Sequence, residues 1–106
     1  MKTGIEKFIP KIRDYFVTQP INKAWIFGSY SRGEETEKSD IDILVEYSKD
    51  KKISLYLISK ILVTLSKILG KRVDLVEDGQ LMDFAVDNVN HDKILIYERE
   101  NMYNNL

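Results

Sequence analysis

A small α/β (α+β) domain, with a mixed sheet of three to four strands flanked by helices, is the fold class this sequence predicts. Three observations carry that prediction. Two segments, near residues 5–16 and 53–69, repeat apolar residues at helical spacing. Three short apolar runs, 22–27, 41–47 and 72–76, have the length and composition of strands. Pro20, Gly28, Gly70 and Gly79 fall at the joints between these segments.

The elements follow in order. Ile5, Phe8, Ile9, Ile12, Tyr15 and Phe16 recur on one helical face, so residues 4–18 read as an amphipathic helix. Pro10 either kinks it or marks its true start. Gln19-Pro20 ends it. Residues 22–27 form the first strand, which stops at Gly28. A short helix begins at Ser29, a residue suited to cap it. Residues 33–39 are a polar, acidic loop, and residues 41–47 form the second strand. Ile53–Leu69 is a long helix ending at Gly70, a typical residue just past a helix C-terminus. Residues 72–76 form the third strand. Gly79 opens a turn, and Leu81–Val89 reads as a helix. Lys93–Tyr97 is either a last short strand or extended chain. Residues 98–106 are polar and expected to fray.

Composition bounds the functional classes. The 106 residues suffice for a single domain, 1–106, with a modest core. The chain is 43% hydrophobic and 31% charged, as in soluble globular proteins. A net charge of −1 disfavours a general nucleic-acid binder, which would present a basic face. The basic run Lys49-Asp50-Lys51-Lys52 reads as a solvated loop. With no cysteine there is no disulfide and no thiolate metal site. The N-terminus lacks a signal-peptide apolar stretch, and the long helix is broken by Ser54, Ser59, Lys60, Thr64, Ser66 and Lys67. A cytoplasmic protein without a membrane span is therefore expected.

The chemistry concentrates in one pattern: Gly28-Ser29, then Asp40-Ile41-Asp42 ten residues on, and Asp74 in the later run Val73-Asp74-Leu75-Val76. In an extended strand Ile41, Ile43 and Val45 face one way, and Asp40 and Asp42 face the other. The two carboxylates are then about 7 Å apart along the strand. That separation suits two divalent ions roughly 3.5–4 Å apart. Magnesium accepts such a site, because it is held by a few carboxylates, waters and substrate phosphates. Each piece alone is commonplace, since Asp-x-Asp is usually a solvated face and Gly-Ser usually a turn. Four fixed positions at about 5–7% usage each recur by chance in roughly one chain in a thousand of this length. Gly28 lets the backbone turn sharply and approach phosphate. Ser29, at a helix start, offers its hydroxyl and nearby amides to phosphate. Arg32 is either a bidentate phosphate fork or a surface ion pair with Glu34 or Glu35.

With these residues in view, the chain resembles the minimal nucleotidyltransferases of the polymerase-beta superfamily. The resemblance rests on Phe27-Gly28-Ser29, Arg32-Gly33, Ser39-Asp40-Ile41-Asp42-Ile43-Leu44-Val45 and Arg72-Val73-Asp74-Leu75-Val76, and it covers about residues 5–97. It implies a polymerase-beta-like core, with ATP as substrate and two magnesium ions as cofactors. It implies that Asp40 and Asp42 ligate both ions, and that Asp74 ligates one and orients or deprotonates the attacking hydroxyl. Gly28, Ser29 and Arg32 would hold the triphosphate. Small members of the family resemble antitoxins that adenylylate a tyrosine of a HEPN-type toxin.

Other residues have plainer readings. His91 reads as a surface residue, Trp25 as packed in or beside the sheet, and Lys71 and Arg72 as either phosphate ligands or an exposed strand entrance. On the long helix, Leu55, Leu57, Ile58, Ile61, Leu62, Leu65, Ile68 and Leu69 span an arc of about 160°, wider than the roughly 100° stripe of a surface helix. Tyr56 and Val63 lie outside it. Either the core covers this arc, or part of it meets a partner. No second domain is expected to build an acceptor pocket. Three functions are consistent with the sequence: AMP transfer to a toxin partner, AMP transfer to a small hydroxylated molecule, and toxin neutralisation by contact alone. Homo- and hetero-oligomers both remain open.

Overall fold

Pro10 has no amide hydrogen to donate, and it occupies the first turn of α1, Ile9–Phe16, where none is required. The expected helix over 4–18 is therefore divided. Gly4–Lys7 forms a separate 3-10 turn, and α1 begins after it. The computed structural model describes residues 4–79 and 89–99. Within it the chain continues through β1 (Ile21–Phe27), α2 (Ser29–Arg32), β2 (Ile41–Tyr47), α3 (Leu55–Leu69), β3 (Val73–Glu77) and β4 (Ile94–Glu98). The expected helix Leu81–Val89 lies outside the described residues, apart from Val89 itself; residues 89–92 are helical. Among the described residues no helix is long and apolar enough to cross a membrane.

The four strands form one mixed sheet in the order β3-β2-β1-β4. β1 pairs antiparallel with β2 and β4, and β2 pairs parallel with β3. The parallel pair requires a crossover, and α3 provides it. Strand alternation then sorts the side chains. Ala24, Ile26, Ile41, Ile43 and Val45 are fully buried on the face that receives Ile12 and Phe16 of α1 and Ile61 and Leu65 of α3. The opposite face carries Asp42, with Asp74 beside it.

Local chemistry explains the ends of α3. The Ser54 side chain accepts a hydrogen bond from the Leu57 amide at 3.1 Å, an N-cap. Gly70 closes the helix in the left-handed region, with its amide on the Ser66 carbonyl. The apolar arc of this helix is only partly covered. Ile61, Leu65 and Leu69 are buried, whereas Leu55 is 82% exposed. Leu55 stands in the first turn, and the helix meets the core further along, through its later turns. Tyr56 and Val63 are exposed, as expected from their place on the wheel.

The C-terminal end differs from expectation at two residues. Glu98 completes β4, and Arg99 donates through its side chain to the carbonyls of Phe16, Val17, Gln19 and Ile21. Its amide also bonds the Asn22 carbonyl. One arginine thus adds side-chain donors to carbonyls where α1 runs into β1; of these, the Phe16 and Gln19 carbonyls also accept from the Gln19 and Ile21 amides. Arg13 ties the same region from the helix side, with Nε 2.6 Å from the Ile96 carbonyl. Residues 100–106 of the expected tail lie outside the described residues.

Candidate active site

The β1–α2 turn and the ends of β2 and β3 meet at one end of the sheet. β1 pairs with β2 so that Phe27 lies opposite Asp42, and β3 pairs with β2 so that Asp74 lies beside Asp42. Asp42 is therefore flanked by the Gly28 turn on one side and by Asp74 on the other. Asp40 stands just before β2, which begins at Ile41, so it belongs to the strand's entrance and not to the strand. The ladder still holds it close, because the Ile41 amide donates to the Arg72 carbonyl at 2.9 Å.

Gly28 has φ +74° and serves as the N-cap of α2; Ser29 is the first helical residue. This corrects the expectation that Ser29 caps the helix. The reason is steric. A Cβ on Gly28 would overlap Oδ2 of Asp42 and lie 3.0 Å from its Cγ, so the carboxylate occupies the space a side chain would need. Ser31, which the sequence reading passed over, holds the turn. It is buried, and its Oγ donates to the Gly28 carbonyl at 2.7 Å. A serine two residues into a short helix start is a local signal for such a bond.

The electrostatics follow from this crowding. Burial, then the charges of Asp74 and Asp40, push the Asp42 carboxyl up from 3.8 to about 6; Arg32 acts in the opposite direction. Arg32 itself is exposed, with Nε 2.9 Å from Glu34 and Nη1 3.4 Å from Asp92. Its hydrogen bond to Glu34 raises its pKa above the ordinary guanidinium value. The surface-pair reading of Arg32 thus describes the side chain as it stands, with Asp92 as a second partner in place of Glu35. No sequence signal links Arg32 to Asp92, which lies 60 residues further on. Arg72 faces Asp40, with Nε 3.8 Å from Oδ1. His91 is exposed, and Trp25 is half-buried, with the Lys93 ammonium 4.6 Å from its ring centroid.

Among the described residues no three His, Cys, Asp or Glu side chains converge into a protein-only metal cage. Magnesium does not require one. It keeps waters and is held by one or two carboxylates together with substrate phosphates. Two adjacent carboxylates on neighbouring strands, one of them kept from ionising freely by burial and then by its acidic neighbours, fit a site completed by a cation and a phosphate-bearing ligand.

Known proteins resemble the chain in sequence and in fold. The description "Polymerase beta, Nucleotidyltransferase" matches residues 10–102, and the chain belongs to that family. A Methanocaldococcus jannaschii protein with a provisional protein-adenylyltransferase name is 49% identical over 51 residues, 48% of this chain and 51% of that protein. The chain thus aligns to about half the length of that relative. A second protein of the same organism, with the same kind of name, is 35% identical over 86 residues, 81% of this chain and 90% of that one. Among solved structures, a toxin–antitoxin with AMP-PNP has a TM-score of 0.72 at 22% identity, covering 87% of this chain and 74% of that chain. A tri-AMPylated Shewanella oneidensis HEPN toxin in complex with MNT antitoxin has a TM-score of 0.58 at 21% identity, covering 94% and 72%. Both structural likenesses establish the fold.

Proposed function

We propose that this chain transfers AMP from ATP to a hydroxyl of a protein partner, a tyrosine of a HEPN-type toxin, and thereby acts as an antitoxin in the cytoplasm. The observation that carries the reading is the meeting of Asp42, Asp74 and the Gly28 turn at one end of the sheet, with Asp42 held at a pKa of about 6 by burial and by its acidic neighbours. Such charge crowding is retained where a cation and a polyphosphate relieve it. The names and contents of the relatives support the choice of AMP and of a HEPN partner.

In this reading the triphosphate lies against the Gly28–Ser29 turn, where the backbone can approach it closely and the Ser29 hydroxyl can donate. Arg32 reaches the leaving phosphates by exchanging its exposed pairs with Glu34 and Asp92 for phosphate oxygens. Asp74, the most exposed of the three carboxylates, accepts a hydrogen bond from the acceptor hydroxyl and orients it. The acceptor oxygen gives its proton to the Asp74 carboxylate and forms a bond to the α-phosphorus, the bond from that phosphorus to the α–β bridging oxygen breaks, and pyrophosphate leaves. Asp40 and Asp42 are the residues that would hold magnesium, together with Asp74. Bound magnesium supplies charge neutralisation on the phosphates and a lowered pKa at the attacking hydroxyl.

The test is intact-mass spectrometry of a purified HEPN-type partner after incubation with this chain, ATP and magnesium. Each transfer should add about 329 Da, and Asp40→Ala/Asp42→Ala should add nothing while still binding the partner. If neither protein adds mass and the double variant neutralises the toxin as fully as the wild type, neutralisation occurs by contact alone. Mass appearing only on a small hydroxylated molecule would move the acceptor class instead.

A further inference from the structure

β3 is an edge of the described sheet and carries Asp74. Along that edge, where the end of α3 turns into β3, lies an open groove of about 590 Å³. Leu62, Val63 and Val73 supply its apolar wall, and Lys67, Lys71 and Arg72 rim it. Among the described residues no acidic one lines it, although the chain as a whole carries a net charge of −1. Val63 is 52% exposed, so apolar surface is available beside the cations. Arg72 is the residue that links the groove to the candidate active site: it lines the groove, and its Nε lies 3.8 Å from Asp40 Oδ1. Lys71 extends the same rim toward the acidic loop, with Nζ 3.0 Å from the Glu37 carbonyl.

We infer that this groove docks the acceptor protein through a segment bearing acidic and apolar side chains, and so brings the acceptor hydroxyl to Asp74; the inference rests on the function proposed above. Charge complementarity argues for the acidic component, because the charged residues described on the rim, Lys67, Lys71 and Arg72, are all cations. The apolar wall argues for a protein. A nucleic-acid groove would pair its cations with aromatic platforms for base stacking, and among the described residues no aromatic one lines this groove. An edge strand also offers unpaired backbone groups to an incoming segment, at the strand that carries Asp74.

The experiment uses the full chain and its HEPN-type partner, with Lys67→Gln/Lys71→Gln as the principal variant and Val63→Asp as the second. Neither variant touches the aspartates, Gly28, Ser29 or Arg32. Thermal shifts with magnesium and ATP should match the wild type in both variants, showing intact folding and nucleotide binding. The KM for the partner should rise about tenfold in the lysine variant, with kcat nearly unchanged. The wild-type KM should rise with salt, and the lysine variant's should rise less. An unchanged KM in both variants, with the wild type active, overturns the docking groove and leaves the proposed transfer standing. A wild type that transfers no AMP at all refutes the transfer reading, and co-sedimentation of the unmodified partner then decides docking by the same variants. Loss of the nucleotide-induced shift in the lysine variant reassigns the groove to the nucleotide. Lysine-dependent binding of single-stranded RNA with an unchanged partner KM replaces the protein by RNA.

Discussion

Asp42→Asn should make the metal-free protein more stable at neutral pH, although it removes a residue of the proposed catalytic set. In the folded chain the Asp42 carboxyl is pushed from 3.8 up to about 6, first by burial and then by Asp74 and Asp40. The folded state therefore binds this proton more tightly than the unfolded state does. Stability falls as pH rises between those two values, and the full penalty applies above about pH 6. Two units at about 1.36 kcal/mol each set an upper bound near 3 kcal/mol. Asp42 is only half-buried, so solvent screening reduces the expected effect to about 1–2 kcal/mol. In a domain of this size that corresponds to a rise in Tm of roughly 5–10 °C. The assay is thermal denaturation by circular dichroism in a metal chelator, at neutral pH and again at about pH 3.5, where the folded state holds the proton and the unfolded state holds it most of the time. The variant should melt higher at neutral pH, and the gap should close in acid. Magnesium plus ATP should then raise the wild-type Tm much more than that of the variant. A variant that melts lower at neutral pH refutes the charge-crowding argument, and equal ligand-induced shifts remove Asp42 from the ligand site.

Four further outcomes are expected. Gly28→Ala places a Cβ against the Asp42 carboxylate at φ +74°, so stability should drop by about 1–3 kcal/mol in chemical denaturation; Asp42→Asn should not relieve the backbone share of that cost. Arg32→Ala should leave Tm nearly unchanged and slow single-turnover transfer about tenfold to a hundredfold, because a charged hydrogen bond to phosphate is worth about 1.5–3 kcal/mol. Unchanged rates would limit Arg32 to its pairs with Glu34 and Asp92; Ser29→Ala should slow transfer in the same assay. Arg99→Ala should lower stability by about 1–3 kcal/mol, because it removes the side-chain donor shared by the carbonyls of the α1–β1 junction. Amide exchange near residues 16–22 should quicken in that variant, and unchanged protection there would argue against the clasp.

Most of the secondary structure was legible because its causes are local. The period of Ile41, Ile43 and Val45 sets the buried face of β2, and Ser54 and Gly70 mark both ends of α3. The aspartates and the glycine turn stood out by residue type and spacing. The division of the first helix at Pro10 was legible only as one of two alternatives, although its cause is equally local. What the sequence left open depends on which strands become neighbours. The parallel pairing of β2 with β3 sets Asp74 beside Asp42, and the pairing of β1 with β2 lays the Asp42 carboxylate over Gly28. That is why glycine and not Ser29 caps α2. Arg32 meets Asp92, Arg99 closes the α1–β1 junction, and Leu55 stays in water for the same reason. Residue spacing determines periodic faces and helix ends, because those depend on neighbours a few positions away. Contacts between residues far apart in the chain are decided by sheet order and register, which only the packing of α1 and α3 against the whole sheet selects.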